Sequence, residues 1–262
     1  MKFLCALSLL LGLQLCAPQP QAQKKEGRKA NDAQTAPPGS KSKTTDAART
    51  VICIDPGHPS EVASGMNVQN GTSETRVAWA VAQRLKSVLE ADGYEVVLTK
   101  SAEGELVKNR DRALVANRAR AALMVRLHCD ASIESGFAVY YPDRKGQTRD
   151  GAASGPAPEV IEGSRRAAEA VRAGMAEGLA GALKDNGVRT DYQTKVGREQ
   201  GGALTGSIYS EVPVVTIEMV VLSDPDDAEF IKAEAGQQRM AAAIADGVRR
   251  FVGPAAAPRK ED

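Results

Sequence analysis

A single α/β domain, with a mostly parallel sheet flanked by helices on both faces, is the fold the sequence predicts. Two observations predict it. After Thr50, short apolar runs of strand length alternate with longer segments whose apolar residues recur at helical spacing. No internal repeat and no appended module breaks that alternation, so the elements belong to one layered domain over residues 51–253.

The first strand is "VICID", an apolar run that ends in the proline-glycine corner of "DPGH". "ETRVAWAVAQRLKSVLEADG" follows as a helix. It spaces Val77, Val81, Leu85, Val88 and Leu89 along one face and stops at Gly93. "YEVVLT" reads as the second strand, "RDRALVANRARA" as the second helix, "LMVRLH" as a third strand ending on His128, and "GFAVYY" as a fourth. Pro142 to Gly163, rich in Gly, Pro, Ser and Ala, predicts a mobile surface insertion. A long helix is expected from Ser164 to about Asp185, then a last strong strand in "VPVVTIE". "DDAEFIKAEAGQQRMAAAIADGVRRF" closes the domain as a helix with Phe230, Ile231, Ile244, Val248 and Phe251 available for packing.

The ends of the chain read differently. Lys2, an apolar run from Phe3 to about Leu15, and small or polar residues up to Ala22 have the layout of a secretory signal peptide over residues 1–22. The run is too short to span a bilayer comfortably, so no membrane span is expected. Cys16 raises a lipid anchor as the alternative, although Leu15 stands where a small residue would be expected. Residues 23–50 contain no Val, Ile, Leu, Met, Phe, Tyr or Trp, which predicts a flexible polar tether, and 254–262 is expected to be a disordered tail. With 34 Lys plus Arg against 33 Asp plus Glu, no net field draws the chain to nucleic acid. Cleavage would leave Cys53 and Cys129, read as buried thiols on neighbouring strands rather than a bridge.

Chemistry is expected at the carboxyl ends of the strands, where an α/β sheet opens a crevice. The chain has only two histidines, His58 and His128, and both fall there. A lone strand-end histidine is more often structural, but two at equivalent ends point to a shared metal. A catalytic zinc takes three protein ligands and keeps a fourth position open. Glu74, at the start of the helix after the first strand, returns to the same rim and is the choice for third ligand; Asp55, Cys129 and Asp130 compete. Glu218, buried in an apolar strand, is costly unless paired, bound or used, which makes it a candidate general base beside the metal. A structural ion pair is the other reading. Arg126 lies two residues before His128 on the same strand face, where it could hold a substrate carboxylate or form a salt bridge.

These residues resemble the zinc-dependent N-acetylmuramoyl-L-alanine amidases with a catalytic domain of the amidase 3 type. The likeness runs from about Val51 to Val252 and rests on "IDPGH", "SETRVAW", "GYEVVLTK", "NRDRALVANRARAALMVRLHCDAS", "GFAVYYP" and "VPVVTIEMVVLSDPDDAEF" in that order. It implies Zn2+ bound by His58, Glu74 and His128, Glu218 as the catalytic glutamate, and peptidoglycan as substrate, cut between N-acetylmuramic acid and L-alanine by water activated with zinc. An exported enzyme of the periplasm or cell envelope follows, and the identity of any activating protein is open. The chain departs from the family pattern at Pro59 and Ser60, at "EMVVLSD", and at Lys100 where arginine is common. Two rivals are a zinc peptidase acting within stem or cross-bridge peptides and an inactive cell-wall-binding module.

Overall fold

Four parallel strands form the heart of the sheet. β1 (Val51–Pro56) lies between β2 (Glu95–Leu98) and β3 (Leu123–Asp130), and β8 (Val214–Val221) pairs with β3 on its other side. β4 (Phe137–Tyr141) runs antiparallel to β8, and β7 (Asp185–Thr190) closes the edge parallel to β4, giving the order β2-β1-β3-β8-β4-β7. In this computed structural model the described residues are 49–62, 65–130 and 134–255; the signal peptide, most of the tether and all but the first two residues of the tail lie outside them.

The side-chain alternation of the strands sorts the sheet into two unlike faces. Ile52 and Ile54 of β1, Leu123, Val125, Leu127 and Cys129 of β3, and Val215, Ile217 and Met219 of β8 point into the main core. That core is covered by α1 (Glu74–Ala91), α3 (Pro158–Gly178) and α7 (Glu234–Val252). On the opposite face, Cys53, Met124 and Val214 make a small apolar cluster with α2 (Asn109–Arg118). The next residues along that face are polar: Asp55 on β1, Arg126 and His128 on β3, Thr216 and Glu218 on β8. The helices of this side leave them open at the strands' carboxyl ends. Cys53 and Cys129 are free, buried thiols on opposite faces of the sheet.

Several elements differ from expectation. β3 continues two residues past His128, with a register irregularity between His128 and Asp130. Residues 142–163 are not a featureless insertion. They hold a small hairpin, β5 (Gly146–Gln147) with β6 (Ser154–Gly155), and the start of α3. Pro158 occupies the first turn of that helix, where its missing N–H costs nothing, so a proline that suggested a loop is a helix starter. The helix also stops earlier than expected, and Asp185–Thr190 is a strand instead. Its polar sequence and half-buried edge position hide the usual apolar signal. Between β7 and β8 lie a 3-10 turn (Asp191–Gln193) and the short helices α4 (Lys195–Glu199) and α5 (Thr205–Ile208), none of them expected. The closing helix is two: α6 (Pro225–Lys232) and α7, separated by Ala233 in extended backbone.

Candidate metal centre and active site

His58 is delivered by the corner after β1. Gly57 donates its N–H to the Leu127 carbonyl at 2.8 Å, and a Cβ there would sit 2.7 Å from that oxygen, so only glycine lets the corner close against β3. His58 itself has φ of 49°, an unusual left-handed conformation held by its surroundings. Buried Arg112 donates to the carbonyls on either side, Nη1 to Pro56 at 2.6 Å and Nη2 to Pro59 at 2.7 Å, while Lys100 Nζ donates to the His58 carbonyl. Asp55 anchors this clamp: it accepts from Arg112 Nη1 at 2.7 Å, Arg126 Nε at 2.9 Å and Thr99 Oγ1 at 2.5 Å.

Glu74 opens α1. Ser73 caps the helix through the Arg76 N–H, which fixes the first turn against the rim of the sheet. Glu74 Oε1 lies 2.8 Å from His128 Nδ1 and 3.4 Å from His58 Nε2, and it accepts the Cys129 N–H at 3.2 Å. One ligand atom from each of His58, Glu74 and His128 falls within 4.8 Å of the others. Gly65 allows the β1–α1 loop to close over the group: its φ is +74°, and a Cβ there would meet the His58 ring at 2.4 Å. Burial alone would raise the Glu74 carboxyl, but the two imidazoles hold it well below the usual carboxylate range. His128 is pushed down, chiefly by burial, against the pull of Glu74.

Glu218 pairs with His128 across β3 and β8 and lines the same cleft of about 430 Å³. Its Oε2 is buried without a hydrogen-bond partner. Burial raises its carboxyl well above the ordinary value, and the charges of Glu74 and Asp130 add to the effect. Arg126 also lines the cleft, but its guanidinium is engaged by Asp55 and, through Nη2 at 2.9 Å, by Asn109 Oδ1. Of the two readings given for Arg126, the salt bridge is the one the geometry contains. Of the competitors for the third ligand, Asp55 lies within the arginine clamp and Cys129 on the opposite face in the main core, while Asp130 ends β3 two residues past His128 and is not among the three side chains whose ligand atoms converge. The cleft walls come from the β1–α1 loop (Glu61, Val62) and from the β7–β8 connection (Thr194 to Thr205), and the latter was not legible because its helices are too short for periodicity.

Two imidazoles and a carboxylate, partly buried at the mouth of a cleft, are a donor set that suits a divalent transition metal of the zinc type. The fold and the site thus define an α/β domain with a candidate mononuclear metal centre at the carboxyl ends of its strands, and an acid beside it. Residues 52–250 match the N-acetylmuramoyl-L-alanine amidase family, Amidase_3, and the chain belongs to that family. It is 26% identical over 228 residues to N-acetylmuramoyl-L-alanine amidase AmiC of Neisseria meningitidis serogroup B, covering 78% of this chain and 53% of that one. It is 24% identical to AmiA of Escherichia coli K12 over 224 residues, covering 76% and 75%. The chain therefore spans about half the length of the Neisseria relative. The fold is similar to that of amidase AmiC2 of Nostoc punctiforme, with a TM-score of 0.60 at 23% identity, covering 78% of this chain and 97% of that one.

Proposed function

We propose that the protein is a peptidoglycan hydrolase that cuts the amide between the lactyl group of N-acetylmuramic acid and L-alanine, with His58, Glu74 and His128 holding Zn2+. The observation that carries this reading is the convergence of those three side chains within 4.8 Å, with Glu218 on the strand next to His128 in one cleft. When bound, zinc polarises the scissile carbonyl and lowers the pKa of the attacking water towards roughly 7. The chain's own contribution is proton traffic and placement. Glu218 takes the proton of the attacking water and returns it to the leaving L-alanine amine, leaving a lactyl carboxylate on the glycan. Burial and the charges of Glu74 and Asp130 raise Glu218, Arg126 counters them, and a divalent cation held by the triad would add the further positive charge that an ionised base needs. Arg112, Asp55 and Lys100 are buried and position His58. The enzyme is read as exported to the cell envelope, consistent with the amino-terminal sequence; among the described residues no helix is long and apolar enough to cross a membrane.

The test is one preparation of Glu218→Gln beside the wild type. Turnover on purified muropeptides, zinc content by mass spectrometry and melting temperature are measured on both. General acid–base groups contribute on the order of 10² to 10⁴ in rate, so the variant should keep its zinc and its fold and lose at least about a hundredfold in turnover. Wild-type products should be stem peptides with a free L-alanine amine and glycan without stems. Peptides cut internally would identify a zinc peptidase instead, and no cutting at all a binding module. Near-normal turnover of the zinc-loaded variant would remove Glu218 from the mechanism.

A further inference from the structure

We propose that Thr216 is a substrate-binding residue of this cleft, donating its hydroxyl proton to a carbonyl oxygen of the muropeptide near the scissile amide; the proposal rests on the amidase reading of the site. Thr216 is 4% exposed, and its Oγ1 is buried with no hydrogen-bond partner. A buried hydroxyl left unpaired is costly, so a position that keeps one in an otherwise apolar strand calls for an explanation. β8 reads Val-Val-Thr-Ile-Glu-Met-Val-Val, and its only two polar side chains, Thr216 and Glu218, stand two residues apart and so on the same face. Both line the cleft, and both present an oxygen without a partner.

The neighbours of Thr216 do not answer it. Arg126, directly opposite on β3, has its guanidinium engaged by Asp55 and Asn109. Tyr140, opposite on β4, has its hydroxyl turned to Arg189 Nη1 at 3.5 Å. Alternate residues of a strand are roughly 7 Å apart, about the reach of two peptide units. A substrate whose scissile amide sits at Glu218 and the metal ligands therefore lays a further carbonyl over Thr216. That carbonyl belongs either to the stem peptide or to the acetamide of the sugar.

Thr216→Val keeps the shape and removes the hydroxyl. Because that hydroxyl bonds nothing in the protein, the melting temperature should stay the same or rise, whereas kcat/KM on muropeptides should fall about tenfold, the value of one hydrogen bond lost with its partner left unpaired. Thr216→Ser should restore most of the loss. The same contact is read without turnover by titrating a muropeptide into zinc-loaded Glu218→Gln protein with and without Thr216→Val, where Kd should weaken about tenfold. A penalty that vanishes on a substrate whose muramic acid is N-deacetylated assigns the acetamide; one that persists assigns the stem peptide. An unchanged Kd, the result expected if Thr216 only holds a water, overturns the proposal, as does a fall in melting temperature that tracks the loss of activity. Failure of the wild type to cut muropeptides would refute the amidase reading while leaving this binding measurement to judge Thr216.

Discussion

Asp55 is fully buried, and its two oxygens gather Arg112, Arg126 and Thr99. Burial by itself would raise this carboxyl; the two guanidiniums and the threonine hydroxyl outweigh it and hold the group well below the carboxylate range. Arg112 passes the constraint on to the Pro56 and Pro59 carbonyls, so the charge of Asp55 is what keeps the left-handed His58 in place. A carboxyl whose pKa is depressed by folding adds stability above its unfolded value, about 3.9, and that stability drains away as pH falls through the folded value. Asp55→Asn cannot titrate and leaves two buried cations without their counter-charge. We expect it to lower unfolding free energy at pH 7 by on the order of 3–5 kcal/mol, measured by urea titration with chelator present in both proteins. The gap between variant and wild type should narrow as pH is lowered from 5 towards 2. A constant gap across that range would show that the ionised form of Asp55 contributes nothing.

α6 shows how a single cap can redirect the chain. Asp224 Oδ1 accepts the N–H groups of Asp226 and Asp227 at 3.0 Å, Pro225 fills the first position, and two acids occupy the first turn. The helix begins there with every local signal in agreement, then stops at Ala233, where α7 sets off anew. Capped this way, α6 brings Asp227 under the sheet, where Oδ2 accepts from Gly136 at 2.7 Å and from Val221 at 2.9 Å. Asp224→Ala should cost about 1 kcal/mol, or roughly 2–4 °C in melting temperature for a domain of this size, with zinc content unchanged. A larger drop accompanied by metal loss would mean that α6 supports the β8 end of the cleft more directly. The same segment marks the limit of reading elements from sequence. The apolar residues of α6 and α7 share one helical period, so they look continuous; the break at Ala233 is a matter of backbone angle, and its one local sign, Gly236, where a Cβ would meet the Phe230 carbonyl at 1.8 Å, reads in sequence as an ordinary glycine within a helix. β7 was missed for the opposite reason, since an edge strand with Val188 as its one apolar residue carries no alternation. Strands β1, β3 and β8 were legible because both of their faces are covered for most of their length. His58 and His128 stood out because they are the chain's only two histidines and both fall at the ends of such runs, and Glu218 because it interrupts one. The far wall of the cleft, built from Thr194 to Thr205, contains no comparable contrast.

The sheet is sealed on the face of α1, α3 and α7 and only partly covered on the face of α2, and that imbalance creates the cleft. It also sets how the site is assembled. His58 comes from the loop after β1, Glu74 from the start of α1 and His128 from β3, so the three donors meet only when the β1–α1 loop, the helix and two strands are all in register. The unfolded chain holds these groups apart, and a cation that needs all three binds the folded state alone. Metal binding must then appear as stability. With free zinc at about 100 times Kd, linkage adds about 2.7 kcal/mol, which for a domain of this size raises the melting temperature by about 5–10 °C over chelator-treated protein. His128→Ala removes one of the three donors and should abolish most of the shift, whereas Glu218→Gln should retain it, because Glu218 is assigned to proton transfer. Calorimetry of the three proteins with and without zinc separates these roles independently of any substrate. A wild-type melting temperature indifferent to zinc, or an equal shift in His128→Ala, would mean that the three side chains meet for structural reasons and that the metal, if the enzyme uses one, is held elsewhere.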